Sequence, residues 1–174
     1  MIVTTIFSFL LALVANELLF RRLEFAPGIN WIYLPAGVRL LCTLLFAEAG
    51  AIGLLIASLG VSCFWIFPDD PLRAIVGGII SSASPYLVYR GMRRHFGLQA
   101  TLTNLTPGRL LVCAAVFSIA SPLLHHLWFA LHDHPPSLFR GFVAMATGDF
   151  CGTVVVLYGA RWVLLAAPQR KPSY

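Results

Sequence analysis

Apolar residues run through this chain in blocks too long for a soluble core. Residues 2–20, 72–89, 109–131 and 138–166 are each predominantly apolar. A helix needs about 20 such residues to cross roughly 30 Å of hydrocarbon, so each block predicts a membrane span. Region 34–67 is harder to read. It is too long for one ordinary helix and barely long enough for two, and Ala47-Glu48-Ala49-Gly50 interrupts it. Its first piece, residues 35–46, reaches only about 18 Å as a helix, short of a full crossing. It predicts a short broken or re-entrant helix, with one long kinked helix as the alternative. The pattern as a whole predicts an all-α polytopic integral membrane protein. Residues 1–174 form one transmembrane domain with spans near 2–20, 35–66 (broken), 72–89, 109–131 and 138–166.

Charge then sets the expected number of crossings. Arg21 and Arg22 follow the first block, and Asp69 and Asp70 precede the 72–89 block. Arg90, Arg93, Arg94 and His95 follow that block, and Arg170 and Lys171 lie in the tail. If 34–67 crosses once, the basic loops share one side, as the positive-inside rule asks. That predicts five net crossings, with the N-terminus outside and the C-terminus in the cytoplasm of a bacterial inner membrane. Six crossings follow instead if the bilayer thins around the short piece. The first block lacks a basic leader and a small-residue cleavage site, so it predicts a retained span.

Composition agrees with a membrane protein. The chain is 59% hydrophobic and 11% charged, against about 25% charged in soluble domains. Little sequence is left for a soluble catalytic or DNA-binding domain. The net charge of +5 sits at the ends of apolar blocks, where it meets lipid headgroups rather than nucleic acid. The expected partners are the lipid bilayer and a partner membrane protein or a second copy. Cys42, Cys63, Cys113 and Cys151 form no CxxC pair and read as small buried hydrophobes. No cofactor is implied.

Asp149 is the foremost candidate for function. It lies halfway along the last apolar block, where an ionisable group costs on the order of 2.5–3.5 kcal/mol on insertion scales. It should therefore meet a ligand or a structural partner. Gly148 and Gly152 flank it in a small-xxx-small pattern that packs helices, and Ser81 and Ser84 form a second small-residue patch. Arg39 is the natural counter-charge; the alternative is an arginine snorkelling to the interface. Glu48, at the interruption, would line the same ligand cavity or cap the next helix. Asn16 and Glu17 read as interfacial, and His125 and His126 as packing beside Trp128. His132 and His134 are weak metal candidates, because three clustered ligand-type residues make an incomplete set. No nucleophile elbow, zinc-protease signature or phosphate loop is present, so an enzyme is not expected.

Two segments resemble a known family. Trp31-Ile32-Tyr33-Leu34-Pro35-Ala36-Gly37 and Gly148-Asp149-Phe150-Cys151-Gly152 look like stretches of the bacterial membrane-associated sensor domains, integral-membrane input modules placed before signalling enzymes. The resemblance implies a ligand-sensing module. The chain carries no output domain, so it would signal through a partner. The short helix before Glu48-Ala49-Gly50 is also similar to the substrate-binding components of energy-coupling-factor vitamin transporters, which are small-molecule-binding subunits. The contrasting expectation is a non-catalytic assembly subunit of a larger membrane complex. A binding module should hold a closed polar cavity reaching Asp149; an assembly subunit should turn its small-residue faces outward.

Overall fold

The computed structural model describes residues 1–97, 106–132 and 137–166. They form an all-α bundle of α1 (Ile2–Phe20), α2 (Leu34–Val61), α3 (Pro71–Phe96), α4 (Pro107–His132) and α5 (Leu138–Ala166). Between α1 and α2 lie a short 3-10 turn (Arg21–Leu23) and a two-stranded antiparallel hairpin, β1 (Glu24–Ala26) with β2 (Ile29–Asn30). Gly28 turns the hairpin at φ 78°, a backbone state that glycine adopts without strain. Four stretches among the described residues are long and apolar enough to cross a membrane: Ile2–Leu23, Leu34–Ile66, Pro107–His132 and Leu138–Trp162. α3 is less apolar because Arg73, Arg90, Arg93 and Arg94 bracket a run containing Ser81, Ser82 and Ser84.

The burial pattern is that of a protein packed in lipid. Phe7, Leu18, Phe64, Leu87, Leu131 and Trp162 are exposed on the outside. Asn16, Arg39, Ser84, Ser121, Asp149 and Thr153 are buried. In water this arrangement would cost far more than it gains; in hydrocarbon the outer apolar band is the favoured surface.

α2 is two helices joined by a reversal. Ala47 has φ 49° and ψ −121°, and helical geometry resumes on both sides. The chain doubles back so tightly that a Cβ on Gly50 would run into the backbone carbonyl of Cys42. In a continuous helix those two residues would be about 12 Å apart. The first arm, residues 34–46, is about 20 Å long. The second arm, from residue 48, runs on through a π-helical turn, Ser62–Ile66.

The reversal brings both ends of region 34–66 to the same end of the bundle. Tyr33, Val61, Trp65 and Ile66 gather there with Leu13, Glu17 and Arg21. The single net crossing expected from charge is therefore corrected: this region leaves one end of the bundle and returns to it. The short broken helix itself is present, and Ala47 carries its turn. The far end of α2 lies beside the basic end of α3, where the Tyr86 hydroxyl donates to Glu48 at 3.0 Å.

The remaining helices alternate in direction. α3 starts at Asp70, whose side chain accepts from the Arg73 backbone N–H at 3.1 Å, with Pro71 in the first turn. This is a favoured helix start. α3 packs antiparallel to α4, with Arg73 near Phe129 and Ser81 near His125. Gly97 closes α3 in the left-handed conformation, the usual glycine stop.

A non-glycine residue at the Ala47 geometry is strained by about 1–3 kcal/mol. Ala47→Gly should raise the thermal midpoint in detergent. Gly50→Ala should lower it, because its methyl group meets backbone. A midpoint that falls in Ala47→Gly would contradict this reading of the turn.

Candidate functional site

The site is built on a segment that enters the bundle from one end. After β2 the chain descends along α5: Ile29 packs near Gly141, Asn30 meets Gly148, and Tyr33 meets Gly152. Only glycine permits this approach. A Cβ on Gly148 would collide with the Asn30 carbonyl oxygen, and one on Gly152 with that of Tyr33. One helical turn on, Gly37 packs on Val156 and the Gly152 carbonyl. Gly148 and Gly152 thus pack against this entering segment of the same chain.

Backbone inside a bundle must find partners within the protein. The Tyr33 N–H donates to the Gly148 carbonyl at 3.1 Å, and the Leu34 N–H donates to the Asn16 side-chain oxygen at 2.9 Å. Asn16 is fully buried, so its interfacial reading is corrected: it caps the start of α2. A polar residue one turn before the end of an apolar block was the available signal.

Beyond Leu34, α2 carries Arg39 into the middle of the bundle. The side chain is 6% exposed, so it does not snorkel. Its guanidinium carbon stands 5.3 Å from the Phe9 ring centroid and 5.2 Å from that of Tyr33, within cation–π range. Its Nη2 donates to the Tyr33 hydroxyl at 3.4 Å. Its Nε has no partner.

Asp149 of α5 is fully buried nearby. The Arg39 charge acts on it, yet both carboxylate oxygens lack a hydrogen-bond partner. The two groups are electrostatic neighbours without a closed ion pair. Ser121 of α4 turns its hydroxyl toward the carboxylate without closing a hydrogen bond, and the Thr153 hydroxyl has no partner at hydrogen-bond distance. Buried polar atoms are partnered in about nine cases of ten or more, so this concentration of unpaired atoms marks the centre of the molecule.

His125 completes the cluster. It is 6% exposed. Its Nδ1 lies 2.9 Å from the Ser121 carbonyl, and its Nε2 lies 3.4 Å from the Ser81 hydroxyl. Facing a carbonyl, Nδ1 must carry a proton. Reading His125 and His126 as interfacial packing missed this burial. The spacing of Ser118, Ser121 and His125 along one face of α4 was the signal. Ser81 and Ser84 are likewise buried inside the bundle, with the Ser84 hydroxyl donating to the Ile80 carbonyl.

A cavity of about 50 Å³ adjoins the cluster, bounded by Tyr33, Arg39, Ser81 and His125. Asp149 is not part of its wall. A chamber of about 230 Å³ lies above it, edged by Glu17, Arg21 and Glu24. The two share Pro27, Gly28, Tyr33 and Ile66 as walls.

Glu48 belongs elsewhere. It is exposed at the far end of the bundle, in an open basic cleft with Tyr89, Arg90, Arg93 and Arg94. The Ala47 reversal takes it there, so it does not join Asp149 and Arg39. His132 is exposed and stacks on Trp128 at 3.5 Å; His134 lies outside the described residues. Among the described residues, no group of three or more His, Cys, Asp or Glu side chains is placed to hold a metal ion. No protein-family model, curated protein or solved structure matches the chain.

Gly148→Ala and Gly152→Ala should each destabilise by at least about 1–3 kcal/mol, the range for overpacking. Gly159→Ala, with open space at its Cβ, should be neutral or slightly stabilising. Thermal unfolding in detergent measures all three. Equal midpoints across the set would contradict the close approach of residues 30–33 to α5.

Proposed function

We propose that this chain is an integral-membrane ligand-binding module whose site is the polar centre around Arg39, Asp149 and His125. The supporting observation is that centre itself: an arginine and a carboxylate buried within electrostatic reach of each other without a closed ion pair, the arginine lining a small cavity that shares walls with a larger chamber. Intramembrane ionisable groups are retained for function by default. A bundle serving only as an assembly subunit has no need of that cost. Its small residues would also face outward, whereas Gly148, Gly152, Ser81 and Ser84 are buried. Occupancy is read out by a partner membrane protein or a second copy.

In this reading the chain passes six times between the two faces of the bacterial inner membrane, the short first arm of α2 completing its passage with residues 29–33 along α5, and both termini are cytoplasmic. Arg90, Arg93, Arg94, Arg109 and Arg161 lie at one end, and Arg170 and Lys171 follow α5 in the sequence. Arg21, Arg22, Arg73 and Arg140 lie at the other, with Glu24, Asp69 and Asp70 among them. The more basic end faces the cytoplasm. The chamber then opens to the periplasm, and the ligand arrives from outside.

Native mass spectrometry of gently extracted protein should find a small molecule on the wild type. Asp149→Asn, folded to the same degree, should lose it. Full occupancy in that variant would sink the assignment. In a cysteine-free background, single cysteines at 22 and 69 should label from the periplasmic side, and those at 48 and 93 from the cytoplasmic side. Labelling of 22 and 93 from one side would overturn the topology.

A further inference from the structure

The inner cavity has a one-sided chemistry. Its polar wall carries Arg39, Arg73, Tyr33, Ser62, Ser81 and His125, and among the described residues no aspartate or glutamate lines it. Both guanidiniums are held on aromatic faces. Arg39 lies over Phe9 and Tyr33. Arg73 lies over Phe67 at 4.4 Å and Phe129 at 5.1 Å. Stacked guanidiniums are oriented in advance, so less freedom is lost when they bind a planar anion. Tyr33 accepts from Arg39 and so keeps its own O–H to donate. The Arg39 Nε is unpartnered, the side chain is nine-tenths buried, and Arg39 lines the same space.

From these walls we infer that the cavity binds a small planar oxyanion, a carboxylate group above all, with Arg39 as its principal contact. The inference rests on the ligand-binding reading above and supplies the ligand class. Size is consistent with it. About 50 Å³ exceeds the roughly 10–15 Å³ that one water needs and suits a carboxylate headgroup. Any larger remainder of the ligand extends past Tyr33 into the upper chamber, whose walls the cavity shares. Arg39 lines the cavity and Asp149 does not, so the ligand meets the arginine and not the carboxylate.

The test uses planar isosteres of negative, zero and positive charge. Purified full-length protein in detergent, at constant total chloride, is titrated with formate, formamide and formamidinium, and then with acetate, acetamide and acetamidinium, chloride and sodium serving as counter-ions. Thermal unfolding is followed by tryptophan fluorescence. The anions should stabilise in a saturable way, and the neutral and cationic members should not. Arg39→Gln should weaken anion binding at least about tenfold, the loss of one charge-assisted hydrogen bond, and Arg39→Lys by less. Should Arg39→Gln fail to fold, Arg73→Gln, at the bundle end, should weaken binding in the same direction. Stabilisation by the amides or amidinium ions instead would overturn the anion inference and leave the binding-module reading standing. No saturable effect from any of the six would overturn the anion inference, and wild type that also carries no bound molecule in native mass spectrometry would end both.

Discussion

Hydrocarbon offers no hydrogen bonds, so backbone that leaves a helix inside a membrane bundle must be satisfied by the protein around it. Residues 30–34 are that backbone here. The Tyr33 N–H is held by the Gly148 carbonyl and the Leu34 N–H by Asn16. The carbonyls of Asn30 and Tyr33 lie so near α5 that only glycine fits opposite them. Everything further in follows from this seat. Because α2 begins there, its first arm is short, Arg39 arrives at the middle of the bundle, and the chain turns at Ala47 to return.

The same seat sets the electrostatics of the site. Arg39 is carried into the buried middle of the bundle and is steadied by Phe9 and Tyr33. Asp149 lies one residue from the glycine that anchors the segment, so the carboxylate and the anchor are fixed together. The pair stays open: the Arg39 charge acts on Asp149, but neither group spends its hydrogen bonds on the other. A buried ion pair in direct contact would be a structural clasp. Here Arg39 lines a cavity that Asp149 does not reach, and the proposed binding site is built on that difference.

Much of this was legible in the sequence, and the failures have physical reasons. Apolar blocks marked the helices, because lipid selects on length and hydropathy alone. Asp149, Gly148 and Gly152 stood out because a charge and two glycines are unusual together in an apolar block. The Ala47 turn announced itself as Glu48-Ala49-Gly50, but its direction did not. Charge counting favoured a single crossing because Arg21 and Arg22 look cytoplasmic until nearby Glu24, Asp69 and Asp70 are seen at the same end. Glu48 was drawn toward Asp149 by its apolar neighbours, whereas the reversal sends it to Tyr86 and the arginines. Asn16 and His125 were underrated for one reason: hydropathy gives depth along a helix, not which face turns inward.

Amide hydrogen exchange at single-residue resolution over residues 30–36 tests the seating of this segment most directly. The amides of Tyr33 and Leu34 lie at the very start of α2, where unanchored helix ends exchange fast. If residues 30–34 are seated against α5 and capped by Asn16, both amides should exchange as slowly as those in the body of α5, and Asn16→Ala should release Leu34. Rapid exchange at both positions in the wild-type protein would contradict the account.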